Sequence, residues 1–250
     1  MYRLAIYGKG GIGKSTTTSN VASALVSQGY NVLQIGCDPK SDSTMLHRGG
    51  AALATVLDQM RVCDEPCLDD LVQQAPDGVW CCEAGGPVPG IGCAGRGIIT
   101  AFDELDRLHV DEEIKPDVVL YDVLGDVVCG GFAMPLRGKY SDGVMVVTSG
   151  EMMSLYAAGN IMQAIEGFKT RGYANYRGLI ANLRNIPDES EKIDQFCQEQ
   201  GCQVVATIPR TALIQEAEAQ GATAVSLFPE SDLAARYHAL AREIMRESAQ

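Results

Sequence analysis

Residues 4–16 read Leu4-Ala5-Ile6-Tyr7-Gly8-Lys9-Gly10-Gly11-Ile12-Gly13-Lys14-Ser15-Thr16. A short apolar run meets a glycine-rich turn that closes on Lys-Ser-Thr, and a helical stretch follows to about Gln28. Gly8 and Gly13-Lys14-Ser15 satisfy the phosphate-loop pattern, in which glycines let backbone N–H groups crowd around phosphate oxygens at the positive end of a helix. The expected nucleotide cradle is therefore Gly8, Lys9, Gly10, Gly11, Gly13, Lys14, Ser15 and Thr16. Lys14 would reach the β- and γ-phosphates and the Ser15 hydroxyl would bind Mg²⁺. Gly8-x-Gly10-x-x-Gly13 also fits a dinucleotide turn, with Asp38 near the end of the second strand, where such folds hold a ribose. A dinucleotide turn has no use for a lysine followed by a metal-binding hydroxyl, so the triphosphate reading prevails.

Working outward, the second strand, Val32–Gly36, leads into Cys37-Asp38-Pro39-Lys40-Ser41-Asp42-Ser43-Thr44. Two acids and two hydroxyls at a strand's carboxyl end suit Mg²⁺ and water positioning, although a plain polar turn has the same composition. Residues 117–131 read Asp-Val-Val-Leu-Tyr-Asp-Val-Leu-Gly-Asp-Val-Val-Cys-Gly-Gly. The aliphatic run ends at Asp122, where α/β folds place Mg²⁺ and phosphate chemistry, and Asp126 and Cys129 follow on the same loop. The order of strands and helices implies an α/β fold of the P-loop NTPase type: one domain over 1–250, with a mostly parallel central sheet and helices on both faces.

The chain carries nine cysteines, at 37, 63, 67, 81, 82, 93, 129, 197 and 202, with no CxxC pair. No apolar run could span a bilayer and the first strand starts at Arg3, so the expected compartment is the cytoplasm, where cysteines stay thiols or bind metal. A net charge of −12 argues against a nucleic-acid surface and permits a partner with a basic docking face. Cys81 and Cys82, on a strand over 78–84, point to opposite faces and cannot share one metal. Cys63 and Cys67 flank Pro66 between two short helices in 51–76 and are expected to be ordinary thiols. Cys93 and Cys129 differ, because each stands in a glycine-rich loop at the same end of the sheet. Two thiolates cannot complete a four-cysteine iron–sulfur site, whereas a two-fold dimer doubles them to four and puts one cluster on the axis.

Lys9 reads either as a solvated charge or as the extra lysine of the Lys-Gly-Gly-x-Gly-Lys-Ser loop, which this stretch resembles. In that variant the lysine reaches the nucleotide of the facing subunit, so it too asks for a dimer. The segments Gly8–Thr18, Cys37–Thr44, Gly85–Thr100, Tyr121–Pro135 and Ser149–Ala158 together resemble the iron protein of nitrogenase and its relatives. That resemblance implies a homodimer with one [4Fe-4S] cluster shared through Cys93 and Cys129, and ATP with Mg²⁺ in each subunit. It implies electron transfer, gated by ATP hydrolysis, to a separate nitrogenase or nitrogenase-like catalytic component, with ferredoxin or flavodoxin as the upstream donor. It makes Asp38–Ser43 the first switch and Asp122–Asp126 the second. Lys9, Lys14, Asp38 and Asp126 become the catalytic set, with Asp126 acting on the attacking water. Ser15, Asp42 and Asp122 become the Mg²⁺ set, Lys40, Asn182, Pro209 and Arg210 join the nucleotide contacts, and Arg96 lies on the docking face. Thr211 stands where these proteins usually carry an aspartate.

ParA/MinD-type positioning ATPases and iron–sulfur carrier ATPases share the loop. The former need no cluster cysteines and usually carry a basic or amphipathic surface, and the latter use a closely spaced cysteine pair; neither feature is found here. Ala94 and Arg96 resemble the nitrogenase-type loop and lower the rank of the light-independent protochlorophyllide reductases. Thr211, the divergent stretch 51–76 and a C-terminus that stops soon after the last helix instead lean the reading towards a nitrogenase-like relative over a nitrogenase proper. Met152, Met153 and Met162 are expected to pack, as is one face of a last helix over 231–248. His47, His109 and His238 lack metal-ligand spacing and receive no role.

Overall fold

The computed structural model describes residues 1–86, 94–125, 133–137, 140–169 and 173–248. Cys93, Asp126 and Cys129 lie outside them. Among the described residues eight strands form one sheet: β1 Tyr2–Gly8, β2 Val32–Cys37, β3 Val72–Gln74, β4 Trp80–Glu83, β5 Val118–Val123, β6 Gly143–Thr148, β7 Asn175–Asn182 and β8 Val204–Ile208. Their spatial order is β3-β4-β2-β5-β1-β6-β7-β8, parallel throughout except for the β3–β4 pair. β2, β5 and β6 are buried along their whole length, as their near-continuous aliphatic sequences require of parallel strands covered on both faces.

Helix α1, Lys14–Ser27, covers one face, followed at the end of the chain by α8 Ala212–Ala219, α9 Ala224–Leu227 and α10 Asp232–Ser248. The other face takes α2 Val56–Val62, α3 Leu68–Leu71, α4 Ala94–Arg107, α5 Val110–Ile114, α6 Met152–Lys169 and α7 Glu189–Gln200. Leu233, Tyr237, Leu240 and Ile244 of α10 are buried on the sheet as their spacing predicts, each worth roughly 1.5–3 kcal/mol. Cys81 and Cys82 do enter opposite cores.

Two expectations fail. The stretch 51–76 holds two short helices but ends in β3, a three-residue edge strand too short to show alternation. Met152 and Met153 do not pack: they are exposed with Tyr156 on the first turns of α6, and only Met162 is partly buried against the core.

Candidate nucleotide site and switch segments

β1 occupies the middle of the sheet, so its turn opens between the carboxyl ends of β5 and β6, where open α/β sheets bind ligands. Gly13 ends that turn as the cap of α1 at φ 96, a left-handed conformation that side chains avoid. A Cβ there would stand 2.5 Å from Asn182 Nδ2, which itself donates to the Ile12 carbonyl at 2.7 Å. The Arg184 guanidinium donates to the Gly11 carbonyl at 2.7 Å, so the end of β7 grips the loop from one side. Lys14 is buried beneath the loop, its ammonium 3.4 Å from the Lys9 carbonyl, whereas Lys9 itself is exposed.

Asn182, Arg184, Arg210, Thr211, Gly11 and Thr16 line a cleft of about 230 Å³ beside the loop. Pro209 directly precedes these lining residues in sequence. Inside the cleft the Thr16 hydroxyl donates to Glu218 at 3.1 Å, and Thr211 caps α8 by accepting from the Leu213 N–H at 3.3 Å. The structure thus brings Asn182 and Arg210 to the lining of one cleft and shows that Asn182 also braces the loop.

On the other side, Gly36 of β2 is in register with both Asp122 of β5 and Glu83 of β4. A Cβ on Gly36 would fall 1.9 Å from Glu83 Oε2, so the bare backbone makes room for a buried acid. Burial pushes the Asp122 carboxyl above its ordinary value, opposed by hydrogen bonding from Ser15, the Lys14 charge and hydrogen bonding from Ser43. Burial likewise raises Glu83, to about 7, against the hydroxyl and N–H of Thr44, with Asp122 and Asp42 adding repulsion. Among the described residues Asp122 Oδ1 and Glu83 Oε2 are both buried without a hydrogen-bond partner.

An unpartnered carboxylate oxygen beside the Ser15 hydroxyl and a phosphate loop is the hard-oxygen set that Mg²⁺ accepts, so the residues present fit MgATP. Asp38 is half-buried and shapes the turn after β2 by accepting from the Lys40 N–H at 3.0 Å. Lys40, Asp42 and Arg96 are exposed. Three described cysteines are unsuited to holding iron, because Cys37, Cys81 and Cys82 are buried and burial pushes each thiol up, Cys81 to about 12. Among the described residues no group of three or more His, Cys, Asp or Glu side chains could hold a metal ion.

Sequence reading missed a buried polar chain behind the switch. The Gln34 amide donates to the Ser43 carbonyl and hydroxyl at 2.9 Å each, and Ser19 donates to the same carbonyl at 2.9 Å. His47, assigned nothing, is buried between Asp77 at 2.6 Å and Gln34 at 3.0 Å. The available signals were a glutamine inside an aliphatic strand and an acid, Glu83, closing another.

The central β1 turn, the buried lysine and the buried acid at the neighbouring strand end define a nucleotide-binding protein of the P-loop NTPase class. Solved structures with this fold include MinD of Pyrococcus horikoshii complexed with Mg-ADP, at TM-score 0.76 and 22% identity over 99% of this chain and 98% of that one. Cobyrinic acid a,c-diamide synthase of Mycobacterium smegmatis, with bound ATP analogue and magnesium, aligns at TM-score 0.69 and 19% identity over 100% and 97%. These likenesses establish the fold alone.

Residues 2–250 match the model of the 4Fe-4S iron sulfur cluster binding proteins, NifH/frxC family, and the chain belongs to that family. It is 51% identical to the nitrogenase iron protein of Methanospirillum hungatei, covering 98% of this chain and 88% of the relative. It is 49% identical to nitrogenase iron protein 2 of Methanothermobacter thermautotrophicus, covering 99% and 91%. Nitrogenase iron protein 2 of Paenibacillus durus is 49% identical, over 97% and 83%.

Proposed function

We propose that this chain is an ATP-dependent electron donor of the dinitrogenase-reductase type, acting as a homodimer on a separate nitrogenase or nitrogenase-like catalytic component. The observation that carries the reading is the carboxyl end of β5. Asp122, whose Oδ1 has no hydrogen-bond partner among the described residues, faces the phosphate loop there, and the same segment reaches Cys129 seven residues later. One strand end thus serves nucleotide and cysteine together, within a chain whose whole length matches a cluster-binding family.

Lys14, Ser15 and the loop amides bind and orient the phosphates, and Asp122, with Asp42, holds the acidic side of the Mg²⁺ site. Asp38 and Asp126 would place the attacking water, and Lys9, exposed at the loop, would cross to the facing subunit's nucleotide. Arg210 and Asn182 wall the base, with Pro209 beside them, and Lys40 stands on the first switch. Cys93 and Cys129 from each of two subunits would hold one [4Fe-4S] cluster, which supplies a low-potential electron when bound. Arg96, exposed on the first turn of α4, belongs to the docking face. The chain works as a single domain in the cytoplasm, with ferredoxin or flavodoxin as donor and neither nucleic acid nor membrane as a partner. No described helix is long and apolar enough to cross a membrane.

Anaerobic iron determination on the wild type and on Cys129→Ser tests the reading. The wild type should carry one cluster per dimer whose spin-resonance signal changes on MgATP addition, and the variant should lose the iron. A Cys129→Ser protein that keeps its iron and still passes electrons overturns it.

A further inference from the structure

The second switch has an obvious covalent route to a cysteine, since Asp122 and Cys129 share a loop. The first switch has none, yet the structure fastens it to the other cysteine-bearing segment at two points. At its far end Thr44 gives Glu83 both of its donors: the N–H at 2.7 Å and the hydroxyl at 2.8 Å, on the same Oε1. At its near end Pro39 lies against Gly86 so closely that a Cβ on Gly86 would stand 2.5 Å from Pro39 Cβ and 3.0 Å from Pro39 Cα. Glu83 closes β4, and Gly86 stands three residues beyond it, on the stretch that runs towards Cys93.

The segment between these points is itself held. The Ala84 N–H donates to the Gly36 carbonyl at 2.8 Å, and Arg61 donates to the Gly86 carbonyl at 2.8 Å. Residues 39–44 therefore cannot shift without either breaking two short hydrogen bonds on a buried carboxyl group or carrying 83–86 along. Glu83 Oε2, buried over Gly36 and without a partner among the described residues, is a second oxygen on which the carboxyl group can accept. That gives the contact the second arrangement a coupling element needs.

We propose that Glu83 and Gly86 are positioning residues that clamp the end of β4 to the first switch, delivering nucleotide-driven movement of residues 38–44 to the segment leading to Cys93. The inference rests on the proposed reductase function and adds a second route beside the Asp122–Cys129 loop.

Hydrogen–deuterium exchange of the full-length protein, with and without Mg²⁺ and a non-hydrolysable ATP analogue, tests the clamp. In the wild type the analogue should slow exchange in both 38–44 and 80–86. Thr44→Val removes one hydrogen bond and Gly86→Ala wedges the two segments apart. Each should keep the response of 38–44 while reducing that of 80–86 by roughly fivefold or more. Glu83→Gln, which keeps the accepting oxygen, should retain the paired response, whereas Glu83→Met, of similar volume but without that acceptor, should lose it; a merely volume-filling role predicts that both variants keep it. A wild type in which 80–86 ignores the analogue, or variants that respond as the wild type does, overturn the clamp. Iron content is read separately: a wild type without iron defeats the cluster reading, whereas loss of the paired exchange response defeats the clamp.

Discussion

Two buried glutamates flank the phosphate loop, and they are treated differently. Glu189, the first residue of α7, is saturated: Oε1 accepts from the N–H groups of Gly150 at 3.1 Å and Arg184 at 3.0 Å. Its Oε2 accepts from Arg184 at 2.9 Å and Ile186 at 3.4 Å. It staples two loops together, and through Arg184 it braces Gly11 of the phosphate loop. Glu83, on the opposite flank, spends one oxygen on Thr44, while the other has no hydrogen-bond partner among the described residues. A fully satisfied buried acid rigidifies its surroundings, while a partly satisfied one is costly and ready to rearrange. The wall at the end of β7 is therefore assembled before any ligand arrives, and the flank at the end of β4 keeps the unspent interactions.

The largest expected effect comes from breaking the rigid side. Glu189→Ala removes a buried charged acceptor and strands three N–H groups, so denaturant unfolding should show a loss of about 3–5 kcal/mol. Glu189→Gln, which keeps an acceptor oxygen, should cost less than half of that. A loss under about 1 kcal/mol in the alanine variant would erase the contrast between the two acids.

The switch side should show itself through pH. Below about 4.5 Glu83 is neutral in both folded and unfolded chains and carries no penalty. Between that value and about 7 the folded chain keeps a proton that the unfolded chain releases, so stability falls as pH rises. Above about 7 the penalty is complete, at roughly 3 kcal/mol. Unfolding measured from pH 5 to 8 without nucleotide, as the difference between the wild type and Glu83→Gln, should follow this slope and leave the variant more stable at pH 8. Parallel curves would mean that Glu83 titrates in the folded protein as it does in water.

The loop at Gly8–Thr16 and the buried strand that carries Asp122 near its end were legible because their chemistry is local, fixed by residue type and spacing over a few positions. So was the buried stripe of α10, whose period needs no partner to be recognised. Glu83 was not legible. Its meaning depends on the β4–β2–β5 register, which sets it and Asp122 on either side of Gly36, and register between non-adjacent strands leaves no mark in the linear chain. His47 was missed for the same reason, since Asp77 and Gln34 meet it only after folding. Met152 and Met153 were misjudged because apolarity alone implies burial, whereas helix α6 presents its first turn to solvent.

Thr211 gives the smallest and sharpest test of the preassembled wall. Its place after Pro209-Arg210, in a segment that resembles a base-binding loop, invites a role in base recognition, and it does line the cleft. Its hydroxyl oxygen, however, accepts from the Leu213 N–H at the start of α8, with the extended backbone of a helix cap. If the wall is built by such local bonds, Thr211→Ala should cost about 1 kcal/mol of stability. ATP affinity should then change by no more than about twofold, within roughly 0.5 kcal/mol. Thr211→Asp should restore or slightly raise stability, because a carboxylate caps as well as a hydroxyl and also faces the positive end of the helix dipole. A Thr211→Ala protein of unchanged stability but much weaker ATP binding would reverse the assignment, making the residue a direct base contact. The base side would then, like the switch side, hold interactions completed only by ligand.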